Sequence, residues 1–199
     1  MKILLASNNK HKAEEIQSLL DRLAPGKVEL VMPGDVLEEK VTVMEDGSTL
    51  EENAFKKAKA FYDAAGITTI ADDTGFEVEA LHRQPGIHAA RFAGDEADDK
   101  ANREKVLRLM RERNPDDRSA EFITVICVYD GKEKQFFEGR CKGKVIQAEK
   151  GKAGFGYDPI FIPDGYELTF AEMTDAEKND ISHRGKAIRA FITGYNFGA

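Results

Sequence analysis

Ile67-Thr68-Thr69-Ile70-Ala71-Asp72-Asp73-Thr74-Gly75-Phe76-Glu77-Val78-Glu79-Ala80 carries two patterns back to back. Residues 67–71 form an uncharged, largely β-branched run, as a strand covered on both faces does. Residues 76–80 alternate, with Phe76, Val78 and Ala80 against Glu77 and Glu79, which predicts a half-exposed strand. Asp72-Asp73-Thr74-Gly75 separates them, and its Asp and Gly residues suit a tight turn as the plainer of two readings. Just upstream, residues 48–65 read as a helix. Two overlapping capping boxes, Ser48 with Glu51 and Thr49 with Glu52, mark its start and Gly66 its end, with Ala54, Phe55, Ala58 and Phe61 among its apolar positions. A capped helix leading into a buried strand is the local unit of a layered α/β protein.

Outward from this stretch the same alternation of elements continues. Residues 2–6 read as a short buried strand. Lys10–Leu23 reads as a helix with Ile16, Leu19, Leu20 and Leu23 on one stripe and Pro25-Gly26 as its stop. Residues 28–32 and 41–44 are further strand candidates. Residues 98–113 predict an amphipathic helix ended by Asn114-Pro115. Residues 120–129 and 133–140 predict a hairpin through Asp130-Gly131, with 141–148 and 160–162 as more sheet. Thr174 with Glu177 caps a short helix. Residues 182–195 form the last helix, burying Ala187, Ile188, Phe191 and Ile192. Helices interleaved with strands and at least one hairpin predict an α/β fold with a mixed sheet. A length of 199 residues predicts a single domain, 1–199.

Composition narrows the function classes. The 29 Lys and Arg against 36 Asp and Glu give a net charge of −7, a poor footprint for duplex binding, so no nucleic-acid partner is expected. Local lysines can still hold a small phosphate ligand. No apolar run reaches the roughly 18–20 residues of a membrane span, so no membrane partner is expected. The apolar start of the chain is cut by Ser7-Asn8-Asn9-Lys10 too early for a signal peptide. Cys127 and Cys141 are too few and too far apart for a zinc site or redox pair, and read as reduced thiols of a cytoplasmic protein.

Four polar clusters sit at the ends of regular elements. Ser7-Asn8-Asn9-Lys10-His11-Lys12 joins a strand to a helix, where free N–H groups and lysines suit a phosphate; a plain N-cap with solvated lysines fits equally well. No Walker A pattern is present. Asp72-Asp73 follows a buried run, where paired carboxylates are costly without a cation. Their hard oxygens, with Glu45 of Glu45-Asp46-Gly47, suit Mg²⁺ bridged to substrate phosphates, a reading favoured over a simple turn. Gly151-Lys152-Ala153-Gly154-Phe155-Gly156-Tyr157-Asp158-Pro159 lets backbone approach a ligand closely, with Phe155 or Tyr157 available to stack on a base. Lys178 and Ser182-His183-Arg184-Gly185-Lys186 add donors, although an exposed first turn accounts for His183 or Arg184 taken alone. Together the clusters describe a nucleoside triphosphate site.

On these residues the chain resembles the inosine triphosphate pyrophosphatase family. The likeness runs nearly end to end through Ser7-Asn8-Asn9-Lys10-His11-Lys12, Glu52-Asn53-Ala54, Ala71-Asp72-Asp73-Thr74-Gly75, Pro85-Gly86-Ile87-His88-Ala89-Ala90-Arg91-Phe92, Gly154-Phe155-Gly156-Tyr157-Asp158-Pro159-Ile160-Phe161 and Ser182-His183-Arg184-Gly185-Lys186-Ala187. The resemblance implies an elongated mixed sheet with flanking helices, two lobes around a central cleft, a homodimer and dependence on Mg²⁺. It implies hydrolysis of non-standard purine nucleoside triphosphates (ITP, dITP, XTP) to the monophosphate and pyrophosphate, which cleanses the nucleotide pool. By matched position, Ser7, Asn8, Asn9, Lys10, His11 and Lys12 would hold the triphosphate. Glu45, Asp73 and Asp72 would face the metal, and Asp73 would also activate water. Thr74 would touch substrate; Phe155, Gly156, Tyr157, Asp158, Lys178, His183 and Arg184 would bind the nucleoside. Two alternatives remain: a Maf-like nucleotide pyrophosphatase, which lacks this glycine loop and Ser-His-Arg pairing, and a non-catalytic nucleotide- or RNA-binding module, which would not need Glu45, Asp72 and Asp73 together.

Overall fold

The strand expected to stop at Asp72 does not stop. In the computed structural model, which describes residues 1–94 and 98–197, strand β3 (Thr69–Val78) runs straight through Asp72-Asp73-Thr74-Gly75. The turn is a correction: both acids find cationic partners, described below, and the chain has no reason to turn them toward water. Before β3 come β1 (Lys2–Leu5), α1 (Lys10–Leu23), β2 (Glu29–Val31), α2 (Pro33–Val36) and α3 (Leu50–Ala65). After it come β4 (Gln84–Gly86), α4 (Asp99–Arg113), β5 (Ser119–Tyr129), β6 (Lys134–Val145), β7 (Phe161–Pro163), α5 (Asp175–Ile181) and α6 (His183–Gly194).

The strands form one sheet in the order β2-β1-β3-β5-β6-β7, with β4 beside β3. β1 is parallel to β2 and β3, whereas β4 is antiparallel to β3 and β7 to β6. The expected mixed α/β sheet is therefore present. Residues 41–44 form no strand, and the two segments expected across 133–148 are one continuous strand, β6. The four-residue α2 and three-residue β4 are too short to leave a periodic signal. Where two capping boxes overlap, Thr49 is the N-cap: its hydroxyl accepts the Glu52 N–H at 3.1 Å, while the Glu52 carboxylate takes the Ser48 N–H at 2.7 Å.

The chain divides into two compact units. The first comprises Met1–Asp73, Thr124–Gly139 and the chain from Arg184 onward; the second comprises Thr74–Ile123 and Arg140–His183. In the first, one core cluster joins Ile3, Leu5 and Ile70 to Ile16, Leu19 and Leu20 of α1 and Ala187, Ile188 and Phe191 of α6. Another joins Leu4, Ala6 and Ala71 to Ala54, Ala58 and Phe61 of α3. Neighbouring strand residues thus serve opposite faces, as a pleat requires. The second unit is built on Phe76, Val78, Phe122, Phe161 and Phe170 with Val106, Leu107 and Met110 of α4. Among the described residues, no helix is long and apolar enough to cross a membrane.

Candidate functional site

The pleat of β3 decides where its two acids go. Ile70 packs toward α1 and α6, and Asp72, two residues on, meets the same helices. Its carboxylate is 3.1 Å from Lys12 Nζ of α1, and its Oδ2 accepts from Arg184 Nε at 3.3 Å and Nη2 at 3.0 Å. Arg184, fully buried at the start of α6, gives its Nη1 to Glu15 of α1. Burial works against the Asp72 carboxylate, but Lys12 and Arg184 outweigh it and hold the group well below its usual range. Burial likewise opposes the Arg184 charge, and Glu15 and Asp72 overcome it. Lys12 is held below its usual value because its burial exceeds the pull of Asp72.

Asp73 follows Ala71 to the other face, where α3 lies. Lys57 of α3 bridges two carboxylates, with Nζ 2.8 Å from Asp73 Oδ1 and 2.9 Å from Glu45 Oε2. Burial pushes the Asp73 carboxyl up to about 6 against the pull of Lys57. Glu45 is held below its usual range: burial would raise it, and the Lys57 ammonium more than compensates. Asp73 Oδ2 is buried and has no hydrogen-bond partner among the described residues. The Glu45 loop is pinned from the same helix. Buried Asn53 accepts the Gly47 N–H at 2.7 Å, and a Cβ on Gly47 would fall 2.6 Å from that oxygen.

Of the three acids expected to face a metal, Glu45 and Asp73 share Lys57, and Asp72 turns to the opposite face of the strand. Alternation sends Asp72 to Lys12 and Arg184, and among the described residues no three His, Cys, Asp or Glu side chains gather as a metal cluster. The Glu45–Asp73 pair does fit a hard divalent cation: it already surrounds a positive charge, and it presents one buried carboxylate oxygen with no partner. Of the six residues 7–12, only Lys12 enters this charged cluster. Asn9 caps α1 by accepting the Lys12 N–H at 3.2 Å and gives its own N–H to Ser7 Oγ at 3.1 Å. Lys10 and His11 lie outward beside Glu14. Ser7, Asn8 and Lys10 line an open groove of about 980 Å³ shared with Ala13, Leu30 and Met32.

In the second unit the glycine loop is a braced turn. Phe155 C=O accepts from Asp158 N–H at 3.2 Å, and Asp158 Oδ2 accepts both the Phe155 N–H at 2.9 Å and Lys178 Nζ at 2.7 Å. Gly154 has φ +72° and a Cβ there would sit 2.2 Å from Asp158 Oδ2, so only glycine closes this turn. Lys178 Nζ also lies 5.0 Å from the Phe155 ring centre. Tyr157 is not available to stack on a base. It is buried against Phe76 with ring centres 4.5 Å apart, and its hydroxyl donates to Ala89 C=O at 2.7 Å. Phe155 is the half-buried ring of the loop. His183 is buried face to face with Phe122 at 4.4 Å. Thr74 follows Asp73 in β3 and is half-buried.

Lys57 was missing from the sequence reading. Its signal was present: buried Leu50, Asn53, Ala54, Lys57, Ala58 and Phe61 recur at helical spacing, so a lysine sat inside an inward-facing stripe. Glu15 was missed as well, having no mark beyond its place on α1.

A fold with a buried acid–lysine cluster and a braced glycine–aromatic loop defines the class, and comparison with known proteins identifies it. Residues 3–194 match the model of the Ham1 family, and the chain belongs to that family. It is 43% identical over 192 residues to a dITP/XTP pyrophosphatase of Christiangramia forsetii, covering 96% of this chain and 97% of that one. It is 44% identical over 187 residues to a dITP/XTP pyrophosphatase of Porphyromonas gingivalis, covering 94% and 93%. Among solved structures, the Ham1 protein of Staphylococcus aureus superposes with a TM-score of 0.83 at 37% identity, covering 98% and 99%.

Proposed function

We propose that this chain is a nucleoside triphosphate pyrophosphatase acting on purines with oxygen in place of an amino group, dITP, ITP and XTP, and releasing the monophosphate and pyrophosphate. The names of its near-full-length relatives support the reaction. The observation that carries the site is the Lys57 bridge between Glu45 and Asp73 with Asp73 Oδ2 left open. Glu45 and Asp73 would hold Mg²⁺, which supplies charge neutralisation for a triphosphate when bound. Asp73 Oδ2, the buried oxygen left without a partner, is the atom that would orient a water and take its proton. Lys57 and Lys12 neutralise phosphate charge, and Ser7, Asn8, Asn9, Lys10 and His11 take the outer phosphates. Asp72, with Arg184 and Glu15, holds Lys12 in place rather than binding metal.

Phe155 stacks on the base. Gly156, Tyr157 and Asp158 shape its loop, and Lys178, His183 and Thr74 complete the substrate contacts. Lysine can only donate hydrogen bonds, so it suits a C6 oxygen and leaves an adenine amino group opposed by another donor. The whole of 1–199 works as one catalytic domain, in the cytoplasm where the nucleotide pool lies, and as a homodimer, which a single-chain mass of 22.1 kDa by light scattering would contradict. Pyrophosphate release tests the reading: with Mg²⁺, kcat/KM for dITP and XTP exceeds that for ATP and GTP by roughly 100-fold. Chelation abolishes turnover. Equal use of GTP would contradict the substrate class, and full turnover under chelation would contradict the metal.

A further inference from the structure

Helix α4 reaches from the core of the second unit to the glycine loop. Its inner stripe, Asn102, Val106, Leu107 and Met110, is buried. Its first turns place polar side chains on the backbone of two loops. Asp99 Oδ2 accepts the Gly156 N–H at 2.8 Å, and Arg103 Nη1 donates to the Gly156 C=O at 2.8 Å. Arg103 is itself anchored by Glu149, with Nε to Oε1 at 3.0 Å. Between them, Asn102 accepts the Ala93 N–H at 2.6 Å and donates to Ala90 C=O at 2.9 Å. The Tyr157 hydroxyl on Ala89 C=O ties the two loops directly.

The Gly156 contacts are the telling ones. Gly156 has φ +58° and stands inside the turn that the Asp158 N–H closes on the Phe155 C=O at 3.2 Å, while a Cβ there would touch nothing within 4 Å. A glycine held only by its neighbours samples both signs of φ. Here both of its polar backbone groups are held from one helix, 57 and 53 positions away in sequence. The residue before it is Phe155, and any rotation at Gly156 changes how that ring is presented. The turn's other brace, Asp158 with Lys178, fixes the Phe155 N–H and leaves the Gly156 peptide groups to α4.

We infer that Asp99 and Arg103 are positioning residues for base recognition: they clamp both polar groups of Gly156 and thereby set the Phe155 ring against the purine. The inference rests on the assignment of the Phe155 loop to the nucleoside. It separates two kinds of binding energy, since loosening the loop weakens hold on the base and leaves hold on the phosphates and the chemical step alone.

The test uses the full chain with Mg²⁺, dITP as substrate and inorganic tripolyphosphate as a competitive probe that has no base. Asp99→Ala and Arg103→Ala each raise KM for dITP roughly tenfold, with kcat changed by less than about twofold. The inhibition constant of tripolyphosphate stays as in the parent. Asp99→Asn, which keeps an acceptor for the Gly156 N–H, restores KM. A merely structural role would lower the active fraction and the melting temperature without splitting KM from kcat. If Phe155→Ala raises KM and neither α4 variant does, the clamp is wrong and the nucleoside assignment stands. If Phe155→Ala leaves KM unchanged, the assignment falls and the clamp with it. Should Arg103→Ala fail to fold, Asp99→Ala decides alone, because Asp99 is exposed and outside the core.

Discussion

At the scale of the residue, the proposed function asks Asp73 to do two opposed things. It must be buried enough for its charge to matter and charged enough to handle a proton. Burial pushes its carboxyl up to about 6 from an ordinary 3.8, so its ionisation costs stability in the metal-free protein. Because the folded value is the higher one, the contribution of this group to stability is present below pH 3.8 and is lost as pH rises through about 6. Asp73→Asn removes that cost and also takes from the buried Lys57 ammonium the anion that holds its charge. Its decisive effect is on turnover: kcat falls about 10²–10⁴-fold while the protein still folds. Steady-state rates and circular dichroism on one preparation check both. A folded variant that turns over normally removes Asp73 from the chemistry.

At the scale of the element, α3 shows how a helix built for packing also builds a site. Thr49 and Glu52 fix where it starts, Ala54, Ala58 and Phe61 seat it on the sheet, and Asn53 and Lys57 use the same inward stripe for polar work. Asn53 ties down Gly47, and so Glu45 two residues earlier reaches Lys57. Asn53→Ala leaves the Gly47 N–H unpaired, at about 1–3 kcal/mol of unfolding free energy. It should also raise the Mg²⁺ concentration needed for half-maximal activity. Urea unfolding and a Mg²⁺ titration measure the two; an unchanged Mg²⁺ requirement would detach the Glu45 loop from the metal.

Elements whose signals are local were legible in the sequence. The caps at Thr49 and Thr174 and the stripe of α1 were read correctly because their partners lie within four residues. The path of β3 was not, because what neutralises Asp72 comes from 60 and 112 positions away. A pair of acids followed by glycine reads as a turn until Lys12 and Arg184 are brought to it. The buried place of Tyr157 is illegible for a similar reason: only the folded unit puts Phe76 against its ring.

At the scale of the whole molecule, the division of labour follows the two units. The charged cluster belongs to the first and the braced aromatic loop to the second, so the proposed function assigns phosphate chemistry and base choice to different sets of residues. Variants in one set should change kcat and metal use, and variants in the other KM and base preference. The claim beneath all of this is that water attacks the α-phosphorus and pyrophosphate leaves in one step. Turnover of dITP with Mg²⁺ in water enriched in heavy oxygen tests it directly. The account predicts the label in the nucleoside monophosphate and none in the pyrophosphate. Label in the pyrophosphate, or a nucleoside diphosphate with orthophosphate as the first products, would contradict it.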